Sequence, residues 1–230
     1  MQGFLKAQGS TPLVMHAERL ADPLDPYARA VSEIAKKRGK TDADHLELGH
    51  REFLGGLYAN GNGPYLPAIN ILRCLQEGAK KFKRGKDVLR GVIPELQEVD
   101  LAYDGPRAKD ELWANRDRFA LRKSVGVQTS RTMRTRPIFS GWSAVLPVTV
   151  DPEIFDKDVL SQIWKAAGTY AGLGDMRPIY GRFVGTVEFV DWEFENTPNL
   201  GQISYEKACA VIAKEIDGQD TKRRVKHAKV

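Results

Sequence analysis

The sequence predicts an α+β fold: one four-stranded antiparallel sheet, two helices on one face of it, and a helical insertion after the first strand. Three observations predict it. Two distant segments, Trp142 to Val150 and Phe183 to Phe189, alternate apolar and polar residues with period two. Two others, residues 65–86 and 152–172, repeat apolar residues at helical spacing. With residues 22–64 set aside, the order along the chain is strand, helix, short strands, strand, helix, strand, the β-α-β-β-α-β arrangement.

The elements follow in order. GFLKAQGSTPLVM, residues 3–15, reads as a first strand broken near Gly9 and Pro12. DPLDP, residues 22–26, reads as a turn, because each proline restricts itself and the residue before it. Tyr27, Ala30, Val31 and Ile34 then recur at helical spacing, and the basic break KKRGK ends that helix. Thr41 with Asp44 three residues on forms an N-terminal capping box. It opens a helix whose apolar face is Leu46, Phe53, Leu54 and Leu57, and ANGNGP is a loop. In the next helix Ile69, Leu72, Leu75, Ala79 and Phe82 share one stripe. Residues 92–103 read as short strands, and the polar residues 104–118 as irregular.

A β region spans residues 119–150 and ends in WSAVLPVTV, with Trp142, Ala144, Leu146, Val148 and Val150 on one face. The helix over 152–172 turns Val159, Leu160, Ile163, Trp164, Ala167, Tyr170 and Ala171 inward. A glycine-rich loop, GLGDMRPIYGRF, leads into the last strand. A final helix is expected from about Ser204 to Ile216, then a basic tail from Lys222 to Lys229. The organisation expected is one domain over 1–195, with 196–230 as a C-terminal helix and tail.

The composition sets bounds. Of 230 residues 42 % are hydrophobic and 28 % charged, which suits a packed domain and excludes disorder of the whole chain. The net charge is only +5, so the distribution of charge matters more than its sum. Cys74 and Cys209 stand alone, without a CxxC partner, which excludes a zinc knuckle and fits a reducing compartment. No metal and no cofactor is expected. The first residues lack the long apolar run of a signal peptide, and no stretch is long enough to span a membrane, so a cytoplasmic location is expected.

Three segments together resemble the RAMP superfamily, the repeat-associated mysterious proteins. YLPAINILRCLQEGAK matches the superfamily's helix start at Pro67, Ile71, Leu72 and Leu75, although Ala-Ile-Asn replaces its Gly-Ser-Ser step. GLGDMRPIYGRF matches its glycine-rich loop at Gly172, Gly174, Arg177, Gly181, Arg182 and Phe183. TSRTMRTRP sits where the backbone subunits of CRISPR effector complexes carry a projecting finger. The chain is also similar to an uncharacterised tailed-phage family, through LADP, EFLGGLY and MRTRPIF. The resemblance covers most of residues 1–195. It implies a ferredoxin-like, RRM-like core with a basic β-hairpin finger, an open sheet face for bases, and a homo-oligomer that repeats along single-stranded DNA or RNA. It implies phage replication or recombination, or a CRISPR-like complex, as the setting.

The charge pattern points the same way. Residues 116–136 hold Arg116, Arg118, Arg122, Lys123, Arg131, Arg134 and Arg136 against one acid, Asp117. Ser124, Thr129, Ser130, Thr132 and Thr135 are interleaved with them. Guanidinium forks and hydroxyls both bind phosphate oxygens, and Met133 among them can wedge between bases. A solvated face is the competing reading, but seven like charges with one counter-charge repel one another. A second run, Lys80, Lys81, Lys83 and Arg84 with Lys86, either caps a helix C-terminus or adds binding charge. In the glycine loop Gly172, Gly174 and Gly181 allow close approach to another chain or a phosphate, and Arg177 and Arg182 bracket the turn. The competing reading there is a plain tight turn. A nucleotide-binding GxGxxG is excluded, because the loop follows a helix and precedes a strand.

No catalytic residue is assigned. In RNA-processing members of the superfamily a histidine near the position of His16 is the general base, so an RNA endonuclease using His16, or Asp22, is one alternative. Asp22 and Asp25 also suit turns, where aspartate bonds its own backbone. His45 and His50 are five apart, one more than HExxH requires, and read as surface residues. A structural subunit meeting an acidic protein is the other alternative.

Overall fold

The computed structural model describes residues 1–127 and 130–190. The expected helix at Ser204–Ile216 and the tail lie outside them. The elements run β1 (Gln2–Gly9), β2 (Leu13–Val14), a 3₁₀ turn (Glu18–Ala21), α1 (Pro26–Lys36), α2 (Asp42–Gly56), β3 (Ala59–Asn60), β4 (Gly63–Pro67) and α3 (Ala68–Lys80). They continue α4 (Gly85–Gly91), β5 (Val92–Pro94), β6 (Glu98–Asp100), α5 (Lys109–Ala114), α6 (Arg116–Phe119), β7 (Ala120–Val127) and β8 (Ser130–Phe139). The last are β9 (Ser143–Val150), α7 (Lys157–Ala166), a π-helical turn (Ala167–Ala171) and β10 (Phe183–Val190). The protein is a mixed α/β structure with antiparallel sheets.

The central sheet has the order β10-β1-β9-β5, every neighbour antiparallel. Leu5 pairs with Leu146 on β9 and with Val187 on β10, so the apolar sides of three strands share one face. α7 packs on β10 and on α3, and α3 also meets β5. The core between sheet and helices contains Leu5, Ala7, Leu72, Leu75, Leu146, Val148, Leu160, Ile163 and Trp164. The Trp164 indole N–H donates to the Lys6 carbonyl at 2.7 Å, which satisfies the one polar atom of that large side chain. Gly78 allows the close crossing of α3 over the π-helical turn: a Cβ there would lie 2.7 Å from the Ala167 Cβ. Burial pushes the Cys74 thiol in this layer up to about 12.

Most element expectations hold, and seven details differ: ANGNGP lies in the β3–β4 hairpin rather than a loop, residues 85–91 form a separate helix, and five more follow. In α3 the buried residues are Ala68, Ile71, Leu72, Cys74, Leu75, Gly78 and Ala79, while Ile69 and Phe82 are exposed. The stripe is rotated because the helix is covered from two sides, by the sheet and by α7 with its π-helical turn. Residues 109–119 are two short helices rather than irregular chain, pinned by buried Leu112 and Phe119. The second core helix begins at Lys157 with Asp156 as N-cap, later than the expected 152. Tyr170 is exposed, because the wider π turn rotates it off the inner face. Leu46 is exposed as well, although it lies two turns before buried Phe53 on the same stripe. The N-terminal half of α2 overhangs the core.

The side of the sheet away from α3 and α7 carries Phe4, Lys6, Gln8, Val145, Thr149, Thr186 and Glu188 by strand alternation. Lys6 is the sole cation in these four strands, and it is ion-paired with Glu188 at 2.7 Å. Phe4 is their one aromatic residue on that side, and it is buried with Val145. The inserted helices pack elsewhere: α1 on α2, and α2 on β8 and α5.

Candidate nucleic-acid interface

A second sheet, β2-β8-β7, holds the basic hairpin. β7 and β8 pair from Ala120↔Pro137 to Val127↔Ser130. Alternation puts Lys123, Arg134 and Arg136 on one side and Arg122, Arg131, Met133 and Thr135 on the other. Beyond the two-residue β2 no strand among the described residues pairs with the outer edge of β8, and α2 lies there instead. The Glu52 carboxylate of α2, itself buried, accepts from the Thr135 backbone N–H at 2.8 Å and from Arg134 Nη1 at 2.6 Å. A side chain thus supplies the acceptor that a third strand would have given.

The seven cations of residues 116–136 divide by environment. Arg134 is held by Glu52, Arg118 by Asp104 at 3.0 Å, and Arg116 lies over the Trp113 ring. Arg136 Nε lies 2.5 Å from Asp175 Oδ2, off the hydrogen-bond direction, so the pair is a contact of charges, and the side chain is mostly covered. Arg122, Lys123 and Arg131 are exposed. Arg131 donates to Ser124 at 2.9 Å, Lys123 reaches the Tyr180 hydroxyl at 3.3 Å, and Arg122 has no hydrogen-bond or ion-pair partner among the described residues.

Between the hairpin and the inserted helices lies a cleft of about 760 Å³. The hairpin contributes Arg122, Arg131, Thr132, Met133 and Arg134, and the insertion contributes Ala35, Lys40, Asp42, His45, Leu46 and Leu48. Four permanent cations and one carboxylate line the cleft, and one of the four, Arg134, is paired with Glu52. The α2 wall is fixed locally by the expected capping box: Thr41 and Asp44 satisfy each other's backbone N–H. Lys37 reinforces it, and its ammonium with the Thr41 donors holds the Asp44 carboxyl well below the usual carboxylate range. Lys40 is not among the candidate binding residues of the sequence, and His45 is read there only as a surface residue. Lys40 belongs to the KKRGK break, the only signal that pointed to it. His45 carries no local signal, because its place in the cleft depends on a hairpin about 80 residues away.

The other candidates are placed as follows. In the 80–86 run Lys80 pairs with Glu77 at 2.6 Å, and Lys81 lies over the Tyr170 ring. Arg84 bonds Asp87 and the Ile154 carbonyl and covers Phe155, which ties α4 to the segment before α7. Lys83 and Lys86 are exposed. In the glycine loop the close approach is to the chain itself. Gly172, Gly174 and Gly181 all have positive φ, and a Cβ on Gly174 would lie 2.3 Å from the Val14 carbonyl oxygen. Asp175 and Gly181 donate backbone N–H groups to Val14 and Pro12, so the loop is pinned to the β1–β2 connection. Arg182 closes it through the Pro178 carbonyl, and Arg177 is exposed on its rim.

His16 sits beside the hairpin, its Nδ1 3.2 Å from Arg136 Nη1. The residue keeps solvent access, but partial burial of the ring and then the Arg136 guanidinium lower its pKa from the usual 6.5. A guanidinium only donates, so Nδ1 accepts and the ring proton is on Nε2. The lone pair a general base needs is therefore already engaged. Asp22 accepts from the Leu24 N–H, and Asp25 caps α1 through the Tyr27 N–H, both by backbone bonding. His45 is exposed and His50 stacks on Trp113. Among the described residues no three His, Cys, Asp or Glu side chains form a group able to hold a metal, and no helix is long and apolar enough to cross a membrane.

The sequence matches no protein-family model and no curated protein.

Proposed function

We propose that this chain is a non-catalytic protein that binds single-stranded nucleic acid in the cleft between its basic hairpin and its inserted helices. The observation that carries the reading is the cleft's charge: Lys40, Arg122 and Arg131 against Asp42, with Arg134 already paired to Glu52. Phosphates are the anions such a cleft recognises best, because the arginine forks donate in pairs and the charge releases counterions from the strand. The strand order β10-β1-β9-β5 of the central sheet supports a ferredoxin-like core for the fold. The resemblance to the RAMP superfamily is the ground for reading the chain as a subunit that repeats along a strand.

The cleft, not the open face of the central sheet, is the better location. Lys6 is the one cation of that face and is neutralised by Glu188. Arg134 and Arg136, two of the seven cations in the run, hold the hairpin to α2 and to the glycine loop. Arg122 and Arg131 are the hairpin cations left for a ligand.

The test is fluorescence anisotropy with labelled single-stranded DNA and RNA across a salt series. Binding should weaken steeply with salt, and Arg122→Ala with Arg131→Ala should lower the log–log slope by about 1.4, roughly 0.7 for each lost phosphate contact. Affinity at fixed salt should drop at least about tenfold. Binding that is flat in salt, or no binding at low salt, overturns the proposal. Cleavage of the probe by pure protein, lost in His16→Ala, would establish the nuclease alternative in its place.

A further inference from the structure

We infer that Leu46 and Met133 form an apolar platform in the cationic cleft that takes unstacked bases, and that this platform makes the protein select single strands over duplex. The inference rests on the proposed nucleic-acid reading and names what distinguishes its substrate.

Three observations carry it. First, Leu46 and Met133 are 53 % and 46 % exposed, and both line the same cleft. Leaving two large apolar side chains in water is unfavourable at about 25 cal/mol per Å² of apolar surface. Second, they come from separate elements: Leu46 from the overhanging end of α2, Met133 from β8. Glu52 fixes these two walls against each other through Thr135 and Arg134. The overhang of α2 thus serves the cleft, not the core. Third, the surrounding charge is cationic, which limits the occupant. An apolar peptide gains nothing from Arg122, Arg131 and Lys40, and an acidic peptide gains nothing from Leu46 and Met133. A strand with splayed bases uses both, its phosphates on the cations and its bases on the apolar pair. Methionine suits such a platform because its flexible, polarisable thioether adapts to different ring faces. In duplex the base faces are already stacked on one another, so only the phosphate contacts remain.

The experiment compares three labelled probes of equal length: a single-stranded oligonucleotide, the same strand with abasic sites throughout, and its duplex. The normal strand should bind about tenfold tighter than the abasic strand, the gain expected from burying one or two apolar contacts. The duplex should bind like the abasic strand. Leu46→Ala with Met133→Ala should abolish the difference between normal and abasic strands without changing the salt slope. Leu46→Met with Met133→Leu should preserve the difference. Both positions are exposed, so thermal unfolding of either double variant should match the wild type. Equal affinity for normal and abasic strands in the wild type overturns the platform while leaving the proposed function standing. So does a preference that survives in the alanine double variant. If none of the three probes binds at low salt, the proposed function itself fails.

Discussion

Glu52→Ala tests the joint that holds the hairpin to the inserted helices. The carboxylate is 4 % exposed and accepts two hydrogen bonds, from the Thr135 N–H at 2.8 Å and from Arg134 at 2.6 Å. Thr135 is buried, so its N–H loses its acceptor with no water to replace it, at about 1–3 kcal/mol. The Arg134 side chain is 31 % exposed and turns to solvent, so its pairing adds only about 0.5–1 kcal/mol. Removing the buried charge returns part of this, because the carboxylate no longer has to be desolvated. The net loss is about 2 kcal/mol. For a domain of this size that lowers Tm by roughly 4–8 °C, read by circular dichroism. Glu52→Gln keeps a carbonyl for Thr135 and loses only the charge, so its loss should be about half as large. Unchanged stability in Glu52→Ala would refute the argument. Equal losses in the two variants would show that the charge, not the acceptor, holds the joint.

Arg136→Ala should destabilise by about 1–2 kcal/mol in urea unfolding while Arg122→Ala stays within about 0.5 kcal/mol of wild type, since Arg136 is largely covered beside Asp175 and His16 and Arg122 is exposed. His16 has a folded-state pKa lowered from 6.5, so the folded form binds fewer protons than the unfolded form. Stability should therefore fall as pH drops through about 6.5, and His16→Asn should remove that part of the pH dependence in chemical denaturation at a series of pH values. Gly181→Ala places a Cβ 1.7 Å from the Leu173 carbonyl oxygen at φ 74°, and should cost more than about 2 kcal/mol by thermal melt, because backbone faces backbone there and neither can yield.

The fold was legible where a pattern is local. The alternation of Trp142 to Val150 and the helical repeat of residues 152–172 depend on one element burying one face, and both were recovered with small shifts at the ends. It was less legible where one element meets two neighbours. Ile69 and Phe82 matched an ideal stripe on α3, yet the helix buries Ile71, Cys74 and Gly78 because α7 with its π-helical turn covers a flank that the sheet does not. Leu46 matched the α2 stripe equally well and is exposed, since spacing along a helix says nothing about where the core ends. The short helices at 109–119 are each less than two turns long, too short for periodicity to register against a polar composition.

The charge run of residues 116–136 exposes a different limit. Counted along the chain, its seven cations face one acid, and mutual repulsion argues for an external anion. In space three carboxylates from outside the run reach it: Glu52, Asp104 and Asp175. Each is paired with one arginine: Arg134, Arg118 and Arg136 respectively. Local charge density therefore marks the hairpin but does not tell its paired cations from its exposed ones. A cation near a buried carboxylate is committed before any ligand arrives, because moving it leaves an unpaired charge or an unsatisfied N–H behind. A cation facing solvent loses little when a phosphate replaces water. That difference separates Arg134 and Arg136 from Arg122 and Arg131, while half-buried Lys40, its ammonium on the Lys37 carbonyl, reaches the same cleft from the insertion, where the chain is closer to the hairpin in space than any sequence window could show.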